Sequence, residues 1–458
     1  MSAETPAVAE QVSAWAAGID SEDIPAGLRQ TLGLGLLDFA GLCIAARRAP
    51  YLLAARDGWD ADGTCTVLGH TTPLDAAGAA FVNGTAAHGE DYDDTFEGTP
   101  VHTGAVILPA VLAACERFGG SGEDVLRGAA AGGELACRLA LVAPTAIHRA
   151  GFHPTAVIGA LAAALGVGTA LRLSAAQLTD ALGVAGSFAS GIIEYLAEGT
   201  WTKRLHAGWA AQSGLRAALV ARQGFRGPRT VFEGTHGFFH GFADHSIEPR
   251  YAEITDGLGE DWRVEQIAFK PYACGTMAQP FVDCAIRLAA GNLAAEDIER
   301  IVCKVGEGTV HRLWEPLAEK RAPSSSYSAK FSVPYCIAVG FLDGAAGLEQ
   351  FAEASTARDD VRALAARVEY VIDPDDEYPR NYTGHLQVTL RDGSVREARQ
   401  PHLRGGVREP LTRAEILAKF HANAAFGGWP DTLAQRLADY CAGLFASASL
   451  DGLAAFRR

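Results

Sequence analysis

The sequence predicts a mainly α protein, made of a large all-α helical domain and a second, smaller α+β domain. Alanine- and leucine-rich segments of helical period fill the chain up to about residue 265. Alternating, strand-like segments are confined to the region between about 266 and 400. A length of 458 residues allows two or three domains. We therefore predict a helical domain over 1–265, an α+β domain over 266–405, and C-terminal helices over 406–458 that return to the helical domain.

The helical period is clearest in five segments, at 25–47, 104–118, 123–143, 154–171 and 174–193. Ser121 and Ser174 each stand just before such a segment, where a side-chain oxygen can cap free backbone amides. Strands are predicted at 301–305, 368–372 and 387–390, and the last is followed by the turn residues 391–394. The capping pattern from Thr412 to Glu415 predicts the return to helices.

Composition excludes several classes of protein. With 48% hydrophobic and 20% charged residues, the chain has enough apolar surface to fold, which excludes intrinsic disorder. The formal net charge is −15 and no run of basic residues is present, so we expect no nucleic-acid partner. The longest uncharged run, 153–172, is mostly Ala and Gly, and we interpret it as a buried helix that does not enter a membrane.

The compartment prediction rests on the N-terminus and on the cysteines. The first ten residues carry glutamate where a secretory signal needs positive charge. Nine cysteines, an odd number without a CxxC pair, indicate reduced thiols. We therefore expect a cytoplasmic protein. No glycine-rich phosphate loop is present, and 186–191 lacks the GxSxG spacing of a serine hydrolase.

Lysine is scarce in this chain. Of the 39 basic residues, six are lysines, at positions 203, 270, 304, 320, 330 and 419. Lysine offers a compact charge and can lose its proton more readily than arginine. The scarcity fits codon bias as well, but the positions that keep a lysine indicate where a site would lie.

The densest polar cluster spans 88–95 and is followed by His102. Acids and a histidine crowded between two apolar helices cost desolvation energy unless they are paired or used. A solvated acidic loop is the alternative for such a charge run. His102 favours a site, because the apolar helix that begins after it would hold the imidazole near the core.

Two further segments carry candidate residues in the helical domain. His153 precedes Pro154 at a predicted helix start, where the helix dipole lowers the pKa of an imidazole and suits a neutral proton acceptor. A simple capping role is the alternative. Lys203, Arg204 and His206 stand between two tryptophans and could hold a carboxylate, with a surface ion-pair face as the alternative.

Two lysines of the predicted α+β domain, Lys270 and Lys330, stand in apolar, aromatic segments and would need a partner for their charge. A metal site is the main competing interpretation. His88, Asp91 and His102 could form a two-histidine, one-carboxylate set, and His236 and His240 have helical spacing. The 236–245 stretch is predicted to be a loop and lacks a zincin glutamate, so we predict no metal.

Taken together, these segments resemble the MmgE/PrpD family, which includes 2-methylcitrate dehydratase, cis-aconitate decarboxylase and iminodisuccinate epimerase. The resemblance is carried by 83–102, 151–155, 201–228, 233–239, 269–276 and 329–344, and it extends over essentially the whole chain. It implies a large helical domain with a smaller α+β domain, a homodimer, and no organic cofactor or metal.

By position, the resemblance implies six catalytic residues, Asp91, Thr95, His102, His153, Lys203 and Tyr335. Arg204, His206 and Lys270 are the predicted substrate-binding residues. One departure concerns 274–279, where decarboxylase-like members have a histidine and this chain has none. That departure argues against cis-aconitate decarboxylation.

The function predicted from these residues is proton abstraction next to a carboxylate of a small di- or tricarboxylic acid. Loss of a hydroxyl would make the enzyme a dehydratase, like 2-methylcitrate dehydratase, and this is the expectation. Return of the proton to the opposite face would make it an epimerase, which is the alternative. A decarboxylase or a metal-dependent lyase ranks lower.

Overall fold

The computed structural model of this chain describes residues 5–291 and 293–458, and in them the predicted mainly α fold with a smaller α+β region is confirmed. Residues 1–4, part of the segment behind the prediction of no secretory signal, lie outside the described residues. The α-helices are α1 (Val8–Gly18), α2 (Ala26–Ala46), α3 (Pro50–Asp57), α4 (Ala76–Gly89), α5 (Gly104–Phe118), α6 (Gly122–Val142), α7 (Ala146–Arg149), α8 (Pro154–Ala170), α9 (Ala175–Phe188), α10 (Tyr195–Glu198), α11 (Thr202–Arg222), α12 (Phe238–Phe242), α13 (Ala252–Thr255), α14 (Gln279–Ala290), α15 (Glu307–Leu313), α16 (Leu317–Arg321), α17 (Ser326–Ala329), α18 (Val333–Asp343), α19 (Glu353–Thr356), α20 (Asp359–Ala365), α21 (Arg413–Phe426) and α22 (Asp431–Gly443). The strands are β1 (Asp62–Cys65), β2 (Thr95–Phe96), β3 (Ile267–Ala268), β4 (Ile298–Val305), β5 (Val368–Ile372), β6 (Gly384–Leu390) and β7 (Val395–Gln400).

The chain forms two compact units. The larger contains residues 1–268 and 413–458, and the smaller contains residues 269–412. The C-terminal helices α21 and α22 therefore belong to the larger unit, although the whole smaller unit precedes them in sequence.

The core of the larger unit consists of helices that approach one another closely because their contact faces carry small residues. Every residue of α4 is buried, and so is every residue of α8 after Pro154. A Cβ atom on Gly208 of α11 would lie only 2.1 Å from the carbonyl oxygen of Phe81 in α4. Glycine at this position lets the two helix backbones pack against each other.

The smaller unit contains a four-stranded sheet of order β5-β4-β6-β7. Strand β4 pairs parallel to β5 and antiparallel to β6, and β6 pairs antiparallel to β7. The β6–β7 connection is the turn expected at 391–394, with Gly393 at φ +82°. The inward face is apolar, and Ile301, Cys303 and Val388 are buried there.

The five predicted helices match α2, α5, α6, α8 and α9 to within a few residues, and both serine caps are confirmed. One local prediction is wrong. The 236–245 stretch, predicted as a loop, contains the short helix α12, which buries Phe238 and Phe239. Among the described residues, one helix, α2, is long and apolar enough to cross a membrane, but 72% of its most apolar window is buried inside the structure, as in a core helix.

Candidate active site

The polar cluster predicted at 88–95 folds as the end of α4 and a tight loop that leads into β2. The loop from Asp91 to Thr95 is buried along its whole length. Asp91 has φ 54°, a left-handed conformation that costs energy for a residue other than glycine. The alternative of a solvated acidic loop is therefore excluded, since these side chains lie in the interior of the larger unit.

Asp93 connects two histidines. Its Oδ2 atom lies 2.8 Å from Nδ1 of His88 and 3.3 Å from Nδ1 of His102. The two imidazole rings meet edge to face with their centroids 4.8 Å apart. One carboxylate therefore lies against both rings.

These contacts fix the tautomer of His102. Its Nδ1 atom also lies 2.6 Å from the backbone carbonyl oxygen of Asp94. A carbonyl only accepts hydrogen bonds, so Nδ1 carries the proton, and Nε2 is left to exchange protons. The same reasoning places a proton on Nδ1 of His88, whose Nε2 is buried without a hydrogen-bond partner among the described atoms.

Burial and the two histidines have opposite effects on the pKa of Asp93. Burial raises the pKa of Asp93, but attraction to His102 and His88, together with their hydrogen bonds, outweighs burial and holds that pKa well below its usual range. The pKa of His88 is lowered, chiefly by burial. The pair is thus an ionised carboxylate with a neutral imidazole.

Asp94 holds the loop against the start of α5. Its carboxylate accepts hydrogen bonds from the Gly104 backbone amide at 3.0 Å and from the Thr103 hydroxyl at 3.2 Å. A Cβ on Gly104 would lie 2.7 Å from Asp94 Oδ2, so glycine is needed for this approach. Burial and the neighbouring Asp93 raise the pKa of Asp94 to about 6.

A second pair of histidines, His153 and His206, lies next to the first pair. His153 stacks on His88 with a centroid separation of 5.6 Å, and its Nδ1 lies 3.1 Å from Nδ1 of His206. Tyr195 packs edge-on against both His153 and His206. The backbone of His153 occupies the N-cap position of α8, but its side chain makes no capping hydrogen bond, so the capping alternative is excluded.

Both imidazoles of this second pair are held neutral. Burial lowers the pKa of His153 well below its usual value, and the neighbouring His88 and Lys203 lower it further. Burial likewise lowers the pKa of His206 to about 4. We name the four rings of His102, His88, His153 and His206 the histidine row.

The basic segment at the start of α11 meets the acidic loop. Lys203 Nζ donates a hydrogen bond to Asp91 Oδ1 at 2.6 Å. Arg204 lies 3.6 Å from Glu90 and stacks over the ring of Tyr51 at 4.3 Å. Trp201 and Trp209 are half exposed, but Lys203 and Arg204 are largely buried, so a simple surface ion-pair face does not describe this segment.

The remaining predicted residues lie in different places. Thr95 is buried in β2, opposite Ala268 of β3, and its hydroxyl has no hydrogen-bond partner among the described residues. Lys270 and Tyr335 belong to the smaller unit, and both are buried there. The Tyr335 hydroxyl donates to the backbone oxygen of Gln350 at 2.6 Å. The larger unit therefore holds the other seven predicted site residues, Asp91, Thr95, His102, His153, Lys203, Arg204 and His206.

Four contributors are not among the nine predicted site residues. The sequence marks His88 only as a possible metal ligand and marks Asp93 and Asp94 only as part of a charge run, and it does not mark Tyr195. The signal for Asp93 was its position five residues after His88, at a helix end where the chain turns back. Tyr195 gave no signal, because its role depends on the packing of α10 beside His153 and His206.

The structure offers a metal ion a different set of ligands from the one that the sequence suggests. The atoms that could bind an ion belong to His88, Asp93 and His102 and lie within 4.8 Å of one another, whereas Asp91 is engaged by Lys203. The Nδ1 of His102 is committed as a donor to a carbonyl, so a metal would have to use other nitrogens. The hydrogen-bonding pattern favours proton transfer at this cluster. Within the described residues, His236 and His240 form no group of three possible ligands.

Comparison with known proteins identifies the family. The MmgE/PrpD N-terminal domain matches residues 10–249, and the MmgE/PrpD C-terminal domain matches residues 272–438. The chain belongs to the MmgE/PrpD family.

Two members of the MmgE/PrpD family illustrate the similarity. The chain is 29% identical over 444 residues to cis-aconitate decarboxylase of Aspergillus terreus. The aligned region covers 91% of this chain and 89% of that protein. It is 31% identical over 364 residues to cis-aconitate decarboxylase of Homo sapiens. That aligned region covers 76% of this chain and 72% of the human protein. These relatives support a lyase, and they leave dehydration and decarboxylation both open.

Proposed function

We propose that this chain is a lyase that removes a proton next to a carboxylate of a small di- or tricarboxylic acid and then expels a hydroxyl group. The observation that carries the proposal is the histidine row. Three neutral imidazoles and one imidazole held by an ionised carboxylate lie beside the Lys203–Asp91 pair. Bases and acids of different strength in one buried cluster suit reversible proton transfer at neutral pH.

The proton acceptor in this proposal is His153. Its imidazole is neutral because burial and neighbouring cations oppose its protonation. It would take the proton from the carbon next to the substrate carboxylate. Lys203 would stabilise the negative charge that develops on that carboxylate as the proton leaves.

The proton donor in this proposal is His102 in its imidazolium form. Asp93 would stabilise the imidazolium, and the Asp94 carbonyl would keep Nδ1 in place, so that Nε2 faces the leaving group. The C–H bond breaks toward His153, the C–O bond breaks toward His102, a carbon–carbon double bond forms, and water leaves. Tyr335, in the smaller unit, is the alternative donor that the sequence predicts.

Decarboxylation is the second candidate, and the names of the relatives favour it. In that reaction a C–C bond breaks, CO2 leaves, and the histidine donor protonates carbon. Residues 274–279 contain no histidine, and this departure from the pattern that the family resemblance implies for decarboxylases favours dehydration. In this chain Gln279 bonds the backbone oxygen of Cys274 instead.

The test is proton NMR in D2O with 2-methylcitrate, citrate, malate and cis-aconitate, each measured with and without excess EDTA. Dehydration predicts an unsaturated product and deuterium in unreacted hydroxy acid. Release of CO2 from cis-aconitate would establish the second candidate, and deuterium exchange with inversion of configuration and no unsaturated product would indicate an epimerase. Activity lost in EDTA and restored by a divalent metal would contradict the metal-free proposal.

A further inference from the structure

Lys419 is the one lysine outside the sequence motifs that the structure buries against the candidate site. It lies on α21, and its side chain is 4% exposed. Its Nζ atom lies 2.8 Å from Asp38 Oδ1 on α2 and donates to the backbone oxygen of Tyr92 at 2.8 Å. The same ammonium lies 3.9 Å from the centroid of the Tyr92 ring.

Tyr92 is the central residue of the loop that supplies the site carboxylates. It stands between Asp91, which pairs with Lys203, and Asp93, which binds His88 and His102. A contact that fixes the Tyr92 carbonyl therefore fixes the peptide plane that joins Tyr92 to Asp93, and it restrains the turn at Asp91 through the neighbouring residue. The left-handed backbone of Asp91 needs such support, because an isolated loop would relax out of it.

Asp38 completes the arrangement. It is 2% exposed, and its charge contributes to raising the pKa of Asp94. Helices α2 and α21 pack closely here, since a Cβ on Gly41 would lie 2.9 Å from the Phe420 ring. The ion pair is thus held between two helices that each lie outside the loop.

Burying an ion pair is weak evidence for stabilisation, because desolvation offsets most of the attraction between the charges. A buried methionine or leucine would serve packing as well. What an apolar residue cannot do is donate a hydrogen bond to the Tyr92 carbonyl. A lysine at this position, in a chain that has only six, therefore points to the hydrogen bond with the Tyr92 carbonyl.

We propose that Lys419 is a positioning residue that, through its hydrogen bond to the Tyr92 carbonyl, sets the backbone of the 91–95 loop and so aims Asp91 and Asp93 at Lys203 and the histidines. The proposal rests on the proposed function only in calling the consequence catalytic. It also places a determinant of the site on the C-terminal helix α21, 327 residues after the loop in sequence.

The closing experiment compares three variants with a matched control. Lys419→Met removes the bond to the carbonyl and the ammonium beside Asp38. Lys419→Met with Asp38→Asn removes both charges. Asp38→Asn alone keeps the donor to Tyr92. The control is Arg138→Met, because Arg138 is another buried cation that binds loop carbonyls, those of residues 253–261, away from the 91–95 loop.

The first readout is the histidine proton spectrum, which needs no substrate. In the native protein the Nδ1 protons of His88 and His102 should resonate at low field, since each bonds a carboxylate or carbonyl. Both Lys419→Met variants should shift or lose these signals. Asp38→Asn and Arg138→Met should keep them, whatever their melting temperatures.

The second readout is turnover of whichever acid the native enzyme converts. Both Lys419→Met variants should lose about 10²-fold in kcat, the effect of a displacement of about 1 Å in an active site. Asp38→Asn should keep kcat within a few-fold. Native spectra with native kcat in a less stable Lys419→Met protein would overturn the proposal. If no acid is converted even by the native protein, the proposed function fails while the spectra still decide the role of Lys419.

Discussion

His102 and Asp94 are joined by a hydrogen bond of 2.6 Å from the imidazole Nδ1 to the backbone carbonyl oxygen. Because the acceptor belongs to the backbone, no substitution of the Asp94 side chain can remove it without moving the loop. The orientation of His102 is therefore a property of the fold, whereas the charge beside it comes from the Asp93 side chain. The two contributions can be separated experimentally.

Asp93→Asn tests the charge alone. The amide oxygen can still accept a hydrogen bond from Nδ1 of His88, but the neutral amide cannot stabilise an imidazolium at His102. We expect kcat to fall about 10²–10⁴-fold, the range of the contribution of a general acid or base. Steady-state kinetics measure the loss. Glu116→Gln, at the far end of α5, is the control, and equal losses in both variants would refute the role of Asp93.

Lys203 and Asp91 form the buried pair at the other end of the loop, with side chains 13% and 4% exposed. Lys203→Met leaves a buried carboxylate without its cation, so we expect a loss of about 3–5 kcal/mol in the free energy of unfolding. Adding Asp91→Asn should recover most of that stability, because no charge is left unpaired. Activity should not recover, since Lys203 acts on the substrate.

Urea unfolding and kcat/KM are measured on the native protein, Lys203→Met, Asp91→Asn and the double variant. These measurements separate the effect on stability from the effect on activity. Recovery of activity together with stability would show that Lys203 is only structural.

His206 gives a dependence of stability on pH. Its pKa is about 4 in the folded protein and about 6.5 when unfolded. The unfolded chain takes up this proton first as the pH falls, so the stabilising contribution of neutral His206 is full above about pH 6.5 and is lost toward pH 4. The difference in unfolding free energy between native protein and His206→Gln should therefore shrink over that interval. A difference independent of pH between 7 and 4 would contradict the lowered pKa.

The sequence predicted the helical core and marked most of the segments that form the candidate site, because those features are local. The period of α8 and the caps at Ser121 and Ser174 depend on residues within a few positions of one another. Asp91, His102 and Lys203 were marked by dense polar residues next to apolar helices. These signals are present in short windows of sequence.

What the sequence could not show depends on packing between distant segments. The partner of His88 and His102 is Asp93, whereas the spacing had suggested Asp91 for a metal set. The backbone turn at Asp91 sends its carboxylate to Lys203 instead. Lys419 reaches the loop only because α21 returns to α2 after the smaller unit, and no local pattern encodes that contact.

Gly208 sets how closely α11 approaches α4. α11 carries Lys203 and His206, and α4 carries His88 and leads into the loop. In Gly208→Ala the added methyl would lie 2.1 Å from the Phe81 carbonyl oxygen and 2.9 Å from the Thr85 amide, both backbone atoms that cannot rotate away. The helices must separate, which should cost about 1–3 kcal/mol of stability, as overpacking of a core does.

The same separation moves Lys203 away from Asp91, so kcat/KM should fall by about tenfold or more in protein that is still folded. Gly443→Ala, at the end of α22, is the matched control because nothing lies within 4 Å of its added methyl. Thermal unfolding and kinetics of both variants provide the measurement. Native kcat/KM in a destabilised Gly208→Ala protein would mean that the site tolerates a shift of α11, and that the Lys203–Asp91 distance does not limit the reaction.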